Sequence, residues 1–223
     1  MKGFRTNKED YIVSQLPNRG TILHVGCAHS PRTLLRWEKG TLLHKAICDK
    51  VKGSGAKVVG IDIDNGALDF LKERLPGEEI YNVDAHKLSE YFGDRVFDLI
   101  VAGDIIEHLP NPGLFLESCR RVLSADGRII ITTVNAYSVA RFLKSIFFHE
   151  AVHPEHTAYY SNKTLTRLVE MSGLIAARKG YYICEPVKVF SLSRYISNTI
   201  ENLVCMVWPQ WSEGIIITAT KEK

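Results

Sequence analysis

Short apolar runs recur along this chain, and most are apolar at odd and even positions alike: Thr21–Val25, Lys57–Ile61, Glu79–Val83, Phe97–Ala102 and Arg128–Thr133. A strand with one face in water alternates apolar and polar residues. Runs without that alternation belong to a sheet covered on both faces. The stretches between them carry helical spacing. Gly66–Leu75 places Leu68, Leu71 and Leu75 on one face. Pro112–Leu123 groups Phe115, Leu116, Cys119 and Leu123 behind a proline in the first turn. Asp126-Gly127 then predicts a turn into the next strand. Asn162–Ser172 predicts a further helix with Leu165, Leu168 and Met171 inward and Gly173 closing it. With Ile175–Tyr182 and Gly214–Ala219, seven strands are expected. The alternation of strand and helix predicts an α/β fold: a doubly wound, mostly parallel, Rossmann-like sheet with helices on both faces.

Two segments break the rhythm. Ser30–Ala56 is long for one crossover and contains Trp37, Leu42, Leu43 and His44, so a helix and a loop are expected there. Asn135–Ser161 is rich in aromatic residues and histidine. It reads as a small lid or acceptor-recognition insert in a single domain over residues 1–223. His24, inside the first run, reads as a satisfied core histidine, and His44 with Trp37 as packing.

Composition excludes several classes. A content of 45% apolar and 24% charged residues can bury a full core. The net charge of +3 is too mild for a nucleic-acid partner, which needs a concentrated basic face. The cysteines Cys27, Cys48, Cys119, Cys184 and Cys205 are odd in number and form no C-x-x-C pair, which argues against a disulfide framework and for a reducing, cytoplasmic setting. Met1–Asp10 has Lys2, Arg5 and Lys8 but no apolar run behind them, so it does not read as a signal peptide. No window reaches the roughly 18 apolar residues of a transmembrane segment.

In a doubly wound sheet the ligand sits outside the carboxyl ends of the strands, where the strand order reverses. The ends of these strands are therefore the candidate site. The first ends in Val25-Gly26-Cys27-Ala28-His29-Ser30, a turn of small residues that lets backbone approach a ligand. The second ends in Ile61-Asp62-Ile63-Asp64, and a carboxylate there can accept both hydroxyls of a ribose. The third ends in Val83-Asp84-Ala85, where an acid can accept an adenine amino group. The fourth ends in Ala102-Gly103-Asp104. A G-x-G-x-x-G turn for a pyrophosphate is absent from the first strand end.

This ordered set, with Phe97-Asp98-Leu99-Ile100-Val101, Ile106-Glu107-His108-Leu109 and Leu123-Ser124-Ala125-Asp126-Gly127, resembles class I S-adenosylmethionine-dependent methyltransferases over residues 21 to 134. The resemblance implies that Gly26, Cys27 and Ala28 cradle the amino-acid part of S-adenosyl-L-methionine. It implies that Asp62 and Ile63 hold the ribose side, that Asp84 and Ala85 frame the adenine, and that Asp104 lies beside the donated methyl group. The family usually has further glycines where this chain has Ala28 and Ser30.

Methyl transfer from a sulfonium is an in-line displacement, and an oxygen acceptor also benefits from a base or a metal. Asp104, Glu107, His108, His153 and His156 are the catalytic candidates, with His149 and Glu155 nearby in the insert. Acid-x-x-Glu-His resembles metal-dependent O-methyltransferases, including ubiquinone-pathway enzymes. That resemblance implies a divalent cation on Asp104, Glu107, His108 and His153 or His156; the other reading is that Glu107 and His108 only shape the loop. His153–Ser161 resembles methyltransferases of polysaccharide gene clusters, which implies a glycan acceptor. The readings are thus O-methylation of a glycan or other small hydroxylated acceptor, methylation of a quinone or secondary metabolite, or a non-catalytic protein of this fold. Trp208-Pro209-Gln210-Trp211 reads as a packing corner or as a wall of the acceptor pocket. Arg141, Phe142, Phe147 and Phe148 read as an amphipathic lid helix, or as a peripheral membrane contact if the acceptor is lipid-linked.

Overall fold

The structure is a computed structural model, and it describes residues 4–147, 152–183 and 203–222. The strands are β1 (Phe4–Asn7), β2 (Arg19–Val25), β3 (Gly55–Asp62), β4 (Glu79–Asn82), β5 (Phe97–Gly103), β6 (Leu123–Val134), β7 (Leu174–Ile183) and β8 (Gly214–Lys221). They form one sheet in the order β1-β7-β8-β6-β5-β2-β3-β4. Only β8 runs against its neighbours β6 and β7. The helices are α1 (Lys8–Ser14), α2 (Thr33–Glu38), α3 (Leu43–Val51), α4 (Asn65–Arg74), α5 (Leu88–Phe92), α6 (Pro112–Val122), α7 (Val139–Phe147) and α8 (Asn162–Met171).

The lack of alternation in the strands has the expected physical cause. Leu23, Val59, Ile61, Ile100, Ile129, Ile131, Ile215 and Ile217 bury against one helical layer, which includes Phe115, Leu116 and Cys119 of α6 and Leu165 and Val169 of α8. The residues between them, Ile22, Val58, Leu99, Val101, Ile130 and Ile216, bury on the other face with Tyr11 and Ile12 of α1 and Ile47 and Val51 of α3. The helix ends are fixed by local side chains. Asp64 caps α4 by accepting from Ala67 N at 3.0 Å. Asn111 caps α6, and Ser161 with Thr164 forms a capping box on α8. Gly173, at φ +75°, follows the end of α8.

Among the described residues the sheet has eight strands where seven were expected. The extra one, β1, is a four-residue edge strand too short to show a period. It pairs with β7 from Phe4–Gly180 to Asn7–Ile183. Gly180 admits it, because a Cβ there would lie 2.5 Å from the Phe4 ring. The turn expected at Asp126-Gly127 is a bulge instead. β6 continues through it, shifting register against β5 between Phe97 and Leu99. Gly127 passes so close to the Phe97 carbonyl that a Cβ would sit 2.9 Å from that oxygen. The long first crossover holds two helices, α2 and α3, rather than one helix and a loop.

His24 and His44 are buried behind the first turn, with their Nδ1 atoms 3.1 Å apart. His24 is thus a satisfied core histidine. His44 packs on it rather than on Trp37, whose ring meets Phe70. Burial holds the His44 pKa down at about 4, and burial followed by the neighbouring His44 pushes His24 well down. An unfolded histidine takes up its proton near 6.5, whereas folded His44 does so only near 4. The unfolded chain therefore binds more protons in that window, and stability falls as pH drops through it. Each histidine contributes at most about 1.4 kcal/mol per pH unit. Glu107, whose carboxyl is raised to about 7, acts in the opposite sense, but His29 and His156, also lowered to about 4, act in the same sense as the buried pair. Urea midpoints are expected to fall steadily from pH 6.5 towards 4; a flat or rising profile would contradict the buried pair.

Candidate active site

β2, β3 and β4 build outward on one side of the sheet, while β5 and β6 lie on the other side of β2. The strand order therefore reverses between β2 and β5, and the candidate residues collect along the carboxyl edge around that point.

The first turn is clipped to the end of β3. Gly26, at φ +74°, and Cys27 both donate to the Ile61 carbonyl, at 2.9 and 3.0 Å. Ala28 N donates to Asp62 Oδ2 at 3.0 Å, and Ile63 N and Asp64 N donate to Oδ1 at 2.7 and 3.2 Å. Three backbone amides thus hold the Asp62 carboxylate, and Oδ2 retains a lone pair for a ligand hydroxyl. The Ser30 hydroxyl donates to Asp64, and this bond, followed by the Ala67 amide, holds the Asp64 carboxyl below its usual value. Ala28 and Cys27 turn their side chains inward onto Leu42, Leu68 and Leu71. Burial, then the Asp62 charge, pushes the Cys27 thiol well up, so it carries no thiolate character. His29 sits at φ +55°. Burial, ahead of the Arg36 and Lys8 charges, lowers its pKa to about 4.

Ile63 is 72% exposed, an apolar side chain beside Asp62 at the open edge. Asp84 accepts from His86 N at 2.9 Å and faces His86 Nδ1 at 2.7 Å. The His86 amide is the main reason its carboxyl is lowered. Ala85, beside it, is buried. An exposed apolar residue between two carboxylates, next to a glycine turn, fits an adenosyl group with an amino-acid tail.

Asp104 departs from the metal-ligand arrangement expected of it. It sits at φ +50°, and Lys8 Nζ lies 2.5 Å from its Oδ2. Thr132 and Tyr182 donate to Oδ1 at 2.9 and 3.0 Å. Burial alone would raise this carboxyl, but Lys8 and these hydroxyls outweigh it and hold it below its usual value. Lys8, Thr132 and Tyr182 were not singled out from sequence. Lys8 stands in a polar stretch 96 positions from its partner, and no local pattern marks it.

The structure brings together Glu107, His108 and His156, whose ligand-type atoms lie within 4.8 Å of one another. The expected set had Asp104 in this group. Asp104 is turned to Lys8: it takes a left-handed backbone ahead of the one-turn 3₁₀ segment (Ile106–His108), so it does not share a helical turn with Glu107. His153 lies in the next rank, 4.8 Å from the His156 ring and 6.1 Å from His108. His149 and Phe148 lie outside the described residues, as does Cys184. Glu107 is 0% exposed, and its carboxylate meets the Thr133 hydroxyl and the Val134 backbone without a hydrogen bond of full geometry. Burial, followed by the Asp104 charge, raises its pKa to about 7. Burial, then the His108 and His153 charges, lowers His156 to about 4. The insert is fastened to this acid through its backbone: Thr157 N donates to the Glu107 carbonyl at 2.7 Å. Beside the group, Ala136, Tyr137, Phe142, Leu143, Val152 and Trp211 are among the residues lining a cavity of about 610 Å³. Tyr159 joins the two, lining the cavity with its ring 5.4 Å from that of His156. Trp211 of the tryptophan corner is thus a pocket wall, paired with Trp208 at 5.1 Å.

Comparison with known proteins gives a consistent result. Residues 43–131 match a family described as a methyltransferase domain. A ubiquinone biosynthesis O-methyltransferase of Coxiella burnetii (strain Dugway 5J108-111) is 23% identical over 213 residues, covering 87% of this chain and 80% of the relative. A protein of the same name from Nitrosomonas europaea is 28% identical over 135 residues, covering 59% of this chain and half of the relative. Among solved structures, a SAM-dependent methyltransferase from Archaeoglobus fulgidus superposes with a TM-score of 0.62 at 17% identity, covering 96% of this chain and 95% of that one. That likeness is one of fold.

Gly26 sets the geometry of the first turn. A Cβ there would meet a left-handed backbone and lie 3.3 Å from Ile105 Cδ1. Gly26→Ala is expected to destabilise the protein by about 1–2 kcal/mol in urea titrations; an unchanged midpoint would show that the turn tolerates a side chain.

Proposed function

Taking as premise that the chain is a class I S-adenosylmethionine-dependent methyltransferase, we propose that it methylates a hydroxyl of an apolar, hydroxylated aromatic acceptor of the quinol type. The observation that carries this reading is Glu107, a buried carboxyl poised at about 7 beside an apolar cavity. The cofactor supplies an electrophilic methyl group on a sulfonium. Gly26, Asp62, Ile63, Asp84 and Ala85 bind and orient it in this reading. An acceptor held in line needs only to lose its hydroxyl proton. Near neutrality Glu107 is part ionised, and His156, depressed to about 4, is a neutral imidazole. Together with His108 they can take that proton, with His153 as an outer relay.

The cavity wall favours the quinol class over a glycan. Val139, Phe142, Leu143 and Val152 make much of the wall apolar, and Tyr137, Arg141, Ser145 and Tyr159 add the few polar groups that a ring hydroxyl needs. The names of the relatives support the same class. The insert at 135–161 then serves as the acceptor-recognition element.

A second reading adds a divalent cation on Glu107, His108 and His156, where it would lower the pKa of the acceptor hydroxyl. The weakly held oxygens of Glu107 beside two imidazoles fit such an ion. Activity that persists after exhaustive chelation would remove the ion from this reading.

Two experiments test the proposal. Calorimetric titration with S-adenosylmethionine should give saturable binding, lost in Asp62→Ala; absence of binding to the unaltered protein would overturn the cofactor assignment. In a transfer assay with catechol and quinol acceptors, kcat/KM should rise with pH through an acidic limb near 7. Glu107→Gln should remove that limb and lower the rate about 10²–10⁴-fold. A limb retained in that variant would assign it to another group.

A further inference from the structure

Among the described residues that line the 610 Å³ cavity, Arg141 alone is charged. No described carboxylate pairs with its guanidinium, and its Nε is buried with no hydrogen-bond partner. The guanidinium lies over the Tyr159 ring, 5.0 Å from the centroid. A guanidinium placed over a ring keeps the N–H groups at its edge for other partners. The ring of Tyr159 in turn meets that of His156 at 5.4 Å, and His156 adjoins Glu107. Arg141, Tyr159, His156 and Glu107 therefore follow one another from the cavity to the proton-accepting group. The Arg141 charge is near enough to add to the lowering of His156, behind burial and the charges of His108 and His153.

The position of Arg141 is set at the root of the insert. Asn135 donates to the Gln210 and Ser212 carbonyls at 2.8 Å each, and its Oδ1 accepts from Tyr137 N at 3.1 Å. Ala136 N donates to the Tyr160 carbonyl at 2.8 Å. α7 thus starts from backbone tied to two neighbouring segments, with Arg141 in its first turn. Ser145, one turn further on, also lines the cavity, but its hydroxyl proton goes to the Phe142 carbonyl at 2.7 Å.

These contacts restrict what can fill the cavity. A guanidinium is a permanent cation. A neutral acceptor that covers it removes its water and supplies no charge in return. A carboxylate supplies the charge, and its two oxygens match the forked N–H groups in one plane. An acceptor with a hydroxyl at the Glu107 end and a carboxylate at the Arg141 end satisfies both ends of the site at once.

We infer that Arg141 is the receptor for a carboxylate on the acceptor, which makes the acceptor a hydroxylated aromatic acid. This rests on the acceptor reading above. It assigns a specificity role to a residue outside the 43–131 family match. A carboxylate anchored on Arg141 also orients the ring, directing a hydroxyl on its other side towards His156 and Glu107.

The test compares an acid with its neutral ester. 3,4-Dihydroxybenzoate and methyl 3,4-dihydroxybenzoate share a ring and its hydroxyls and differ in charge. Each is titrated calorimetrically into protein saturated with S-adenosylhomocysteine, so no turnover is needed. The unaltered protein should bind the acid at least about tenfold more tightly than the ester. Arg141→Met should cut that acid-to-ester ratio by at least about tenfold. Arg141→Lys keeps the charge without the fork and should restore part of it. Binding of S-adenosylhomocysteine reports that each variant is folded, and if one is not, the ratio in the unaltered protein decides alone. Equal binding of acid and ester by the unaltered protein, or a ratio that Arg141→Met leaves unchanged, would overturn the carboxylate receptor while the quinol-type acceptor stands. Binding of neither compound would overturn both.

Discussion

A carboxylate at the end of a buried strand must find a partner, and in this protein the partner decides what each acid can do. Asp62 is held by three backbone amides and Asp84 by the amide and ring of His86. Asp104 is held by a lysine and two hydroxyls. Each of these is held in a defined direction, suited to binding. Glu107, only three residues beyond Asp104, has only weak contacts with Thr133 and the Val134 backbone and is raised to about 7 by burial and by the Asp104 charge. Four acids on one sheet edge thus separate into three that orient and one that can exchange a proton.

The separation depends on the fold at two points. Asp104 takes a left-handed backbone ahead of the 3₁₀ turn that carries Glu107, so the two acids do not share one helical turn. Lys8 then neutralises one of them from the opposite end of the sequence. Without that lysine, two carboxyls in one neighbourhood would compete for ionisation.

Much of this architecture was legible in the sequence because parallel strands announce themselves. Strands such as β2 and β5 are apolar on both faces, and their acidic ends fall where the chain must turn. The proline that opens α6 and the glycine after α8 could be read for the same reason: cause and effect lie within one helical turn. What could not be read is long-range. The edge strand β1 exists because Gly180 admits the Phe4 ring. The bulge at Gly127 exists because the backbone of β5 passes close by. Lys8 meets Asp104 only once the whole sheet has formed. In the site, sequence placed Asp104, Glu107 and His108 as neighbours, but neighbours along a chain need not face the same partner. His156 joins Glu107 and His108 because Thr157 fastens the insert to the Glu107 carbonyl.

That fastening has a consequence of its own. The loop before α8 grips the peptide group of Glu107, not its side chain, through the amide and hydroxyl of Thr157. The carboxylate therefore stays free on the far side of the same residue. A wall anchored in this way can be reshaped along its length, at Tyr137, Phe142 or Val152, without loosening the acid beneath it. In the proposed reading, the range of molecules admitted and the ease of removing their protons are then two separate adjustments, made on either side of one peptide bond.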